Sequence, residues 1–284
     1  MASALVAKHF PKIIRTSLLN FARKSYKRLV REAVDGRDPR WDVVRRISTV
    51  AAEAWMSAQR DLEETSDFSA RYLKEVTNRR WYALMDERHR RAAQSTYDFI
   101  DENMRSAMYL PTKTAAWRKV AASIPADGHI LQFGVYKGGS INALADLWPS
   151  RRIDGFDSFQ GLPENWSYSA AGSFDLRGSM PKVRDNVTLH AGWFEDTLPI
   201  WGSENPGNVA FLDLDCDLYS STRVVLSHLR PRIQSGTWIH IDEMIGYYGW
   251  QDHEFKAFQE FLSEAGHRFE YLYYGSTYVL GRIR

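Results

Sequence analysis

The sequence predicts an α/β protein: a Rossmann-like, mostly parallel sheet that closes on an antiparallel hairpin, preceded by a helical N-terminal extension. Three observations carry that expectation. From Ile130 onward, short apolar runs end in turn residues and alternate with amphipathic stretches, which is the β-α-β rhythm of a parallel sheet. The last two apolar runs, 269–274 and 277–281, are separated only by Gly275-Ser276 and therefore read as a hairpin. Residues 1–110 have another texture, with a single glycine, Gly36, and apolar residues at helical spacing in Trp41-Val44-Ile47-Ala51 and Tyr97-Ile100.

In chain order, strands are expected at 129–133, 152–156, 187–190, 208–215 and 237–242, before the hairpin. Helices are expected at 139–147, 220–229 and 252–265. Five strands in βα alternation plus a hairpin make a seven-stranded sheet. The division that follows is 1–110 as a helical extension, with a basic arm at 1–31, and 111–284 as the sheet domain.

A length of 284 residues with 44% hydrophobic content is enough for one α/β domain and an added segment. The net charge of +2 gives no reason to expect a nucleic-acid partner. Cys216 is the only cysteine, so no intrachain disulfide can form. No apolar run reaches the roughly 20 residues a membrane span needs, and no secretory signal is evident. A cytoplasmic protein is the expectation. The arm carries eight Lys and Arg before the first acid, Glu32. It reads as a solvated segment, as an arm that docks onto a second copy in a possible homo-oligomer, or as a possible peripheral contact with an anionic membrane.

The chemistry begins at Phe133-Gly134-Val135-Tyr136-Lys137-Gly138-Gly139-Ser140. A glycine-rich turn between strand and helix lets backbone approach a ligand and offers helix N–H groups to it. Its glycines match neither the dinucleotide pattern nor the P-loop. Alone, the loop suits a nucleotide-like ligand or a simple tight turn. Asp157, about twenty residues on at a strand tip, can accept both hydroxyls of a ribose. Gly192-Trp193-Phe194 after the next strand would offer a flat apolar slot for an adenine, or core packing.

Asp213, Asp215 and Asp217 alternate with Leu212, Leu214 and Cys216, so strand geometry puts the three carboxylates on one face. The next strand ends His240-Ile241-Asp242-Glu243. Adjacent strands lie roughly 4.8 Å apart, which would bring Asp215 beside Asp242 and Glu243 as an all-oxygen site suited to Mg²⁺. Asp217 reads as a helix cap or a solvated group, Asp213 as a contact to cofactor or to a buried donor, and His240 as a buried histidine or a proton acceptor.

Five stretches in order resemble the macrocin O-methyltransferase family: Gln132-Phe-Gly-Val-Tyr-Lys-Gly-Gly-Ser140, Gly155-Phe-Asp-Ser-Phe-Gln-Gly-Leu-Pro163, Gly192-Trp-Phe-Glu-Asp-Thr-Leu-Pro199, Leu214-Asp-Cys-Asp-Leu-Tyr-Ser-Ser-Thr222 and Gly236-Thr-Trp-Ile-His-Ile-Asp-Glu243. The resemblance covers about residues 110–284. It implies a class I methyltransferase fold and an S-adenosylmethionine- and Mg²⁺-dependent O-methyltransferase acting on a sugar hydroxyl, so the partner is a small-molecule or glycan acceptor. It places Gly134, Gly138 and Ser140 around the methionine part, Asp157 on the ribose and Ser158, Trp193 and Phe194 near the adenine, with Phe133, Val135 and Tyr136 also in the cofactor set. Asp213 joins the cofactor set. Mg²⁺ falls on Asp215, Asp242 and Glu243, with Asp215 the catalytic base. Two letters depart from the family pattern: Gln132 stands where Glu is common, and Asp242-Glu243 where Asp-Asp is frequent. The long segment 162–183, with Trp166, Tyr168 and Phe174, is the expected lid over the acceptor. A non-catalytic S-adenosylmethionine-binding partner and a metal-dependent hydrolase are the rival readings. The first leaves the acidic trio without a use, and the second leaves the glycine loop and Asp157 without one.

Overall fold

The computed structural model describes residues 79–167 and 169–284. The basic arm, Trp41 and Tyr168 lie outside the described residues. Ala83–Arg284 form one compact unit. It therefore takes in most of the helix α1 (Arg79–Asn103) as well as the segment from 111 onward. That helix is held by its side chains: Gly246 N donates to Thr96 Oγ1 at 3.0 Å and Trp250 Nε1 to Ser95 Oγ at 3.1 Å. Phe99 packs edge-on against Phe255 and Tyr271 and tilts onto Trp250.

The remaining elements are β1 (Met108–Tyr109), α2 (Lys113–Val120), β2 (His129–Phe133), α3 (Gly139–Leu147), β3 (Ile153–Asp157), β4 (Val187–Ala191), α4 (Phe194–Glu204), β5 (Val209–Leu214), α5 (Tyr219–Leu229), β6 (Trp238–Ile241), α6 (Glu254–Ala265), β7 (Phe269–Tyr274) and β8 (Val279–Ile283). They form a sheet in the order β1-β7-β8-β6-β5-β2-β3-β4. Only β8 runs against its neighbours, β6 and β7. This is the class I methyltransferase fold: a mixed, mostly parallel sheet with one antiparallel hairpin.

Seven strands match the expected ones to within about two residues. The eighth, β1, is two residues long and adds to the sheet edge beside β7. A pair so short leaves no alternation to read in the sequence. Two further helices carry no plain sequence signal. α4 contains Pro199, a residue that argues against a helix interior because it lacks an N–H. α2 is eight residues long and starts at Thr112, whose Oγ1 accepts from Ala115 N at 3.3 Å.

The period-2 strands sort their apolar residues into two cores. Leu131, Phe133 and Leu212 belong to one, Ile130, Ile153 and Phe211 to the other. The register also aligns three strand ends. Asp215 N donates to Phe133 O and Asp242 N to Leu214 O, both at 2.9 Å. The glycine loop and the ends of β5 and β6 thus share one edge of the sheet, where ligands of open α/β sheets bind. Among the described residues, no helix is long and apolar enough to cross a membrane.

Candidate active site

A cavity of about 960 Å³ opens over that edge. It is lined on one side by Gly134, Val135, Tyr136 and Ser140, and on the other by Asp215, Asp217 and Glu243.

The loop side is built largely from backbone. Gly134 has φ +89°, and a Cβ there would lie 1.7 Å from the carbonyl oxygen of Asp215. No other residue type fits that contact. Val135 N and Tyr136 N both donate to Asp157 Oδ2 at 2.8 Å, while Phe159 N donates to Asp157 Oδ1 at 2.7 Å. Asp157 therefore shapes the loop, and Oδ1 keeps capacity for a further donor. Gln132 is fully buried; its Nε2 donates to Gly134 O and to Ser140 Oγ, both at 2.7 Å, and its Oε1 has no partner. Ser158, Trp193 and Phe194 line the cavity.

Three predicted cofactor residues, Phe133, Gly138 and Asp213, do not line it. Phe133 is core, stacked on Phe156 at 4.7 Å and edge-on to Phe194. Asp213 is wholly buried, with Oδ1 2.5 Å from His240 Nδ1. The Asp213–His240 pair is held under Trp117, whose ring meets His240 edge-on at 5.3 Å. His240 is therefore a buried structural partner rather than a proton acceptor in the cleft. Strand alternation had grouped Asp213 with Asp215, but whether a given face opens on the cleft depends on the helix laid over it.

The carboxylate side is assembled from four segments. Asp215, Asp242 and Glu243 offer oxygens that all lie within 4.8 Å of one another. Asp217 follows in a left-handed conformation, φ 65°, which turns its side chain into the cavity. It does not cap α5, which has no side-chain cap at Leu218. Behind them sits Glu254, fully buried, accepting from Cys216 N at 3.1 Å and from Glu243 N at 3.3 Å. Lys113, at the start of α2, donates from Nζ to Asp215 Oδ2 at 2.8 Å and to Asp242 Oδ2 at 2.6 Å.

So many acids in one place resist ionisation. Burial and the neighbouring Asp242 push the Asp215 carboxyl well above the usual carboxylate range, against the pull of Lys113. Burial, then Asp242 and Asp215, do the same to Glu243. Burial and Asp242 raise Asp217 to about 6. Burial and Asp217 raise Glu254 to about 7. Burial works against the charge on Lys113, yet Asp215, Asp213 and Asp242 outweigh it and hold the ammonium well above the usual lysine range.

Lys113 and Glu254 had no signal in the sequence: one lies about a hundred residues from its partners, and the other sits in a helix among ordinary surface acids. Over the acceptor end, Trp166 lines the cavity and packs on Tyr247 at 5.7 Å; Trp166 Nε1 and the Tyr247 hydroxyl are both buried without partners. The segment between β3 and β4 doubles back on itself, with Gly172 N donating to Leu162 O and Leu162 N to Ser173 O. Phe174 from this segment packs on Tyr136 of the glycine loop.

Comparison with known proteins gives consistent results. A family model described as macrocin-O-methyltransferase (TylF) matches residues 172–266. The chain is 32% identical over 150 residues to the 8-demethyl-8-(2,3-dimethoxy-alpha-L-rhamnosyl)-tetracenomycin-C 4'-O-methyltransferase of Streptomyces olivaceus, covering 44% of this chain and 55% of that protein. It is 29% identical over 142 residues to the mycinamicin III 3''-O-methyltransferase of Micromonospora griseorubida, covering 41% and 55%. The chain spans about half the length of the curated relatives it matches. Among solved structures it resembles the calicheamicin methyltransferase CalS11 with a TM-score of 0.50 and 26% identity, covering 59% of this chain and 76% of that one.

Proposed function

From the premise that residues 172–266 belong to the macrocin-O-methyltransferase family, we propose that this protein transfers a methyl group from S-adenosylmethionine to a hydroxyl of a glycosylated small molecule. One observation carries the reading: a single cavity joins the Gly134–Ser140 loop to the carboxylate ends of β5 and β6. A donor bound at the loop and a hydroxyl held at the carboxylates would share one enclosed space. Sugar-modifying names among the relatives support a glycoside as the acceptor class.

In this reading the loop N–H groups and Ser140 hold the methionine end, and Gln132 Oε1 is left free to accept from its ammonium. Asp157 Oδ1 takes a ribose hydroxyl, and Ser158, Trp193 and Phe194 flank the adenine. The sulfonium supplies the methyl: its C–S bond breaks as the acceptor oxygen forms the new C–O bond. The protein contributes chiefly by aligning these atoms and shutting out water. Trp166, which lines the cavity and is backed by Tyr247, would offer an aromatic face to a sugar ring.

The acceptor proton has two candidate destinations, Asp215 and Asp217. Asp215 is already paired with Lys113, whereas Asp217, raised to about 6, ionises near neutral pH and is the better proton acceptor. The donor set fits a divalent ion: three carboxylates converge, and Glu243 Oε2 is shut off from solvent without a partner. Asp215, Asp242 and Glu243 would hold Mg²⁺. A bound ion would polarise the hydroxyl and lower its pKa. Calorimetric titration with S-adenosylmethionine, followed by transfer of a labelled methyl to rhamnosylated and related glycosides, tests the proposal. Absence of any binding would overturn it.

A further inference from the structure

We propose that Lys113 is a tethered cation that occupies the metal position of the carboxylate site and must withdraw before a divalent ion can bind. The inference rests on the reading of Asp215, Asp242 and Glu243 as a metal site and goes beyond it.

The placement of Lys113 is specific. It is the first residue of α2, where the helix dipole disfavours a positive charge. Within α2 its one aromatic contact is distant, with Nζ 5.9 Å from the Trp117 ring centroid, whereas the two acids are within hydrogen-bond reach. The helix start is fixed by contacts unrelated to charge. Thr112 caps it, and Tyr278 Oη donates to Leu110 O at 2.7 Å and to Thr112 O at 3.0 Å. Behind it, Trp117 is buried against His240. The backbone of residues 110–113 is thereby held at a set distance from the ends of β5 and β6.

From that anchor Nζ bridges Asp215 Oδ2 and Asp242 Oδ2. Among the described residues, it is the cation paired with this cluster. An ion drawn to the same two carboxylates would have to sit beside Nζ, which already holds one oxygen of each. Two cations cannot share so small a space without strong repulsion. The third oxygen set points the same way: Glu243 Oε2 is buried and unpartnered while Nζ holds the other two acids. The ammonium satisfies part of the site and leaves one ligand waiting.

Withdrawal is open to the side chain. Lys113 lines the 960 Å³ cavity, and its four-carbon stem turns freely once the head is released. The site therefore has two states. With lysine in, its single positive charge is shared between Asp215 and Asp242 and offsets part of the charge of the cluster. With a divalent ion in, the lysine head moves into the cleft.

The test is Mn²⁺ binding, read by the spin resonance of free Mn²⁺, on the full chain with wild-type Lys113, with Lys113→Met and with Asp242→Asn. If lysine fills the site nine-tenths of the time, Lys113→Met binds Mn²⁺ about tenfold more tightly than wild type, because affinity scales with the competent fraction. Equal affinities for wild type and Lys113→Met, both lost in Asp242→Asn, overturn the lysine inference and leave the metal reading standing. No binding in any of the three overturns the metal reading and the competition with it. A second measurement, made on wild type alone, guards against misfolding of the variant. Acetylation of the Lys113 amine, followed by peptide mass, should speed up when Mn²⁺ is added, and a rate unchanged at saturating Mn²⁺ overturns the proposal.

Discussion

The two walls of the cavity are built by different means. On the loop wall, geometry comes from backbone: Gly134 at φ +89° and two N–H groups donated to Asp157 Oδ2. On the carboxylate wall it comes from side chains, with Lys113 pairing Asp215 and Asp242 and Glu254 supporting Cys216 and Glu243 from below. A backbone wall is sensitive to shape and hardly to pH. A wall of crowded carboxylates tolerates small changes of shape and responds to charge. The walls meet where Gly134 lies against the carbonyl of Asp215.

That contact is where the comparison can be broken most severely. In Gly134→Ala the added Cβ would meet backbone, which cannot swing aside, and would sit at a strained φ. The expected cost is about 4 kcal/mol of stability or more, with loss of S-adenosylmethionine binding. Thermal melting and calorimetry measure both; if the variant binds the cofactor with wild-type affinity, the loop and β5 are less tightly coupled than the contact implies.

A change confined to the carboxylate wall should sharpen the contrast. Asp217→Asn is expected to lower kcat by about 10³-fold, within the range for a lost general base, while leaving cofactor affinity nearly unchanged. Only the ionised carboxylate can take a proton, so wild-type activity should rise as pH increases through about 6 and then level off. A wild-type profile without that rise, or an Asp217→Asn enzyme with full turnover, would remove Asp217 from the proton-accepting role.

The smallest expected effect concerns stability. Glu254 keeps its proton to about pH 7 in the fold, against 4.5 for the ordinary group. The folded state thus binds more protons than the unfolded state across that window. Stability should fall as pH rises from 4.5 to 7, by up to about 3 kcal/mol, and stay low above it. Glu254→Gln should lose the Glu254 part of that slope and keep the parts from Asp215, Asp217 and Glu243, whose protons are also held in the fold. Melting temperatures of the two proteins between pH 5 and pH 8 would show the difference; parallel curves would mean that the burial cost is relieved elsewhere.

Much of the site was legible because its parts follow local rules. Gly134 marks a turn that no larger residue fits, Asp157 falls at a strand tip, and Asp215, Asp242 and Glu243 end adjacent strands. Strand periodicity and the two-residue hairpin turn were enough to give the parallel sheet and its antiparallel end. Short elements were not legible. β1 has too few residues to show a period, and Pro199 hides α4 behind a local signal that packing overrides.

What the sequence determined by itself was therefore the seven longer strands of the sheet, and which residues stand at its carboxyl edge, since backbone geometry fixes side-chain direction within a strand. What only the tertiary structure decided was how those residues are partnered. Asp213 and Asp215 have the same alternation, yet one is sealed against His240 and the other opens on the cavity beside Lys113. Charge interactions depend on distance through space and on exclusion of water, and neither is written in the spacing of residues along a chain.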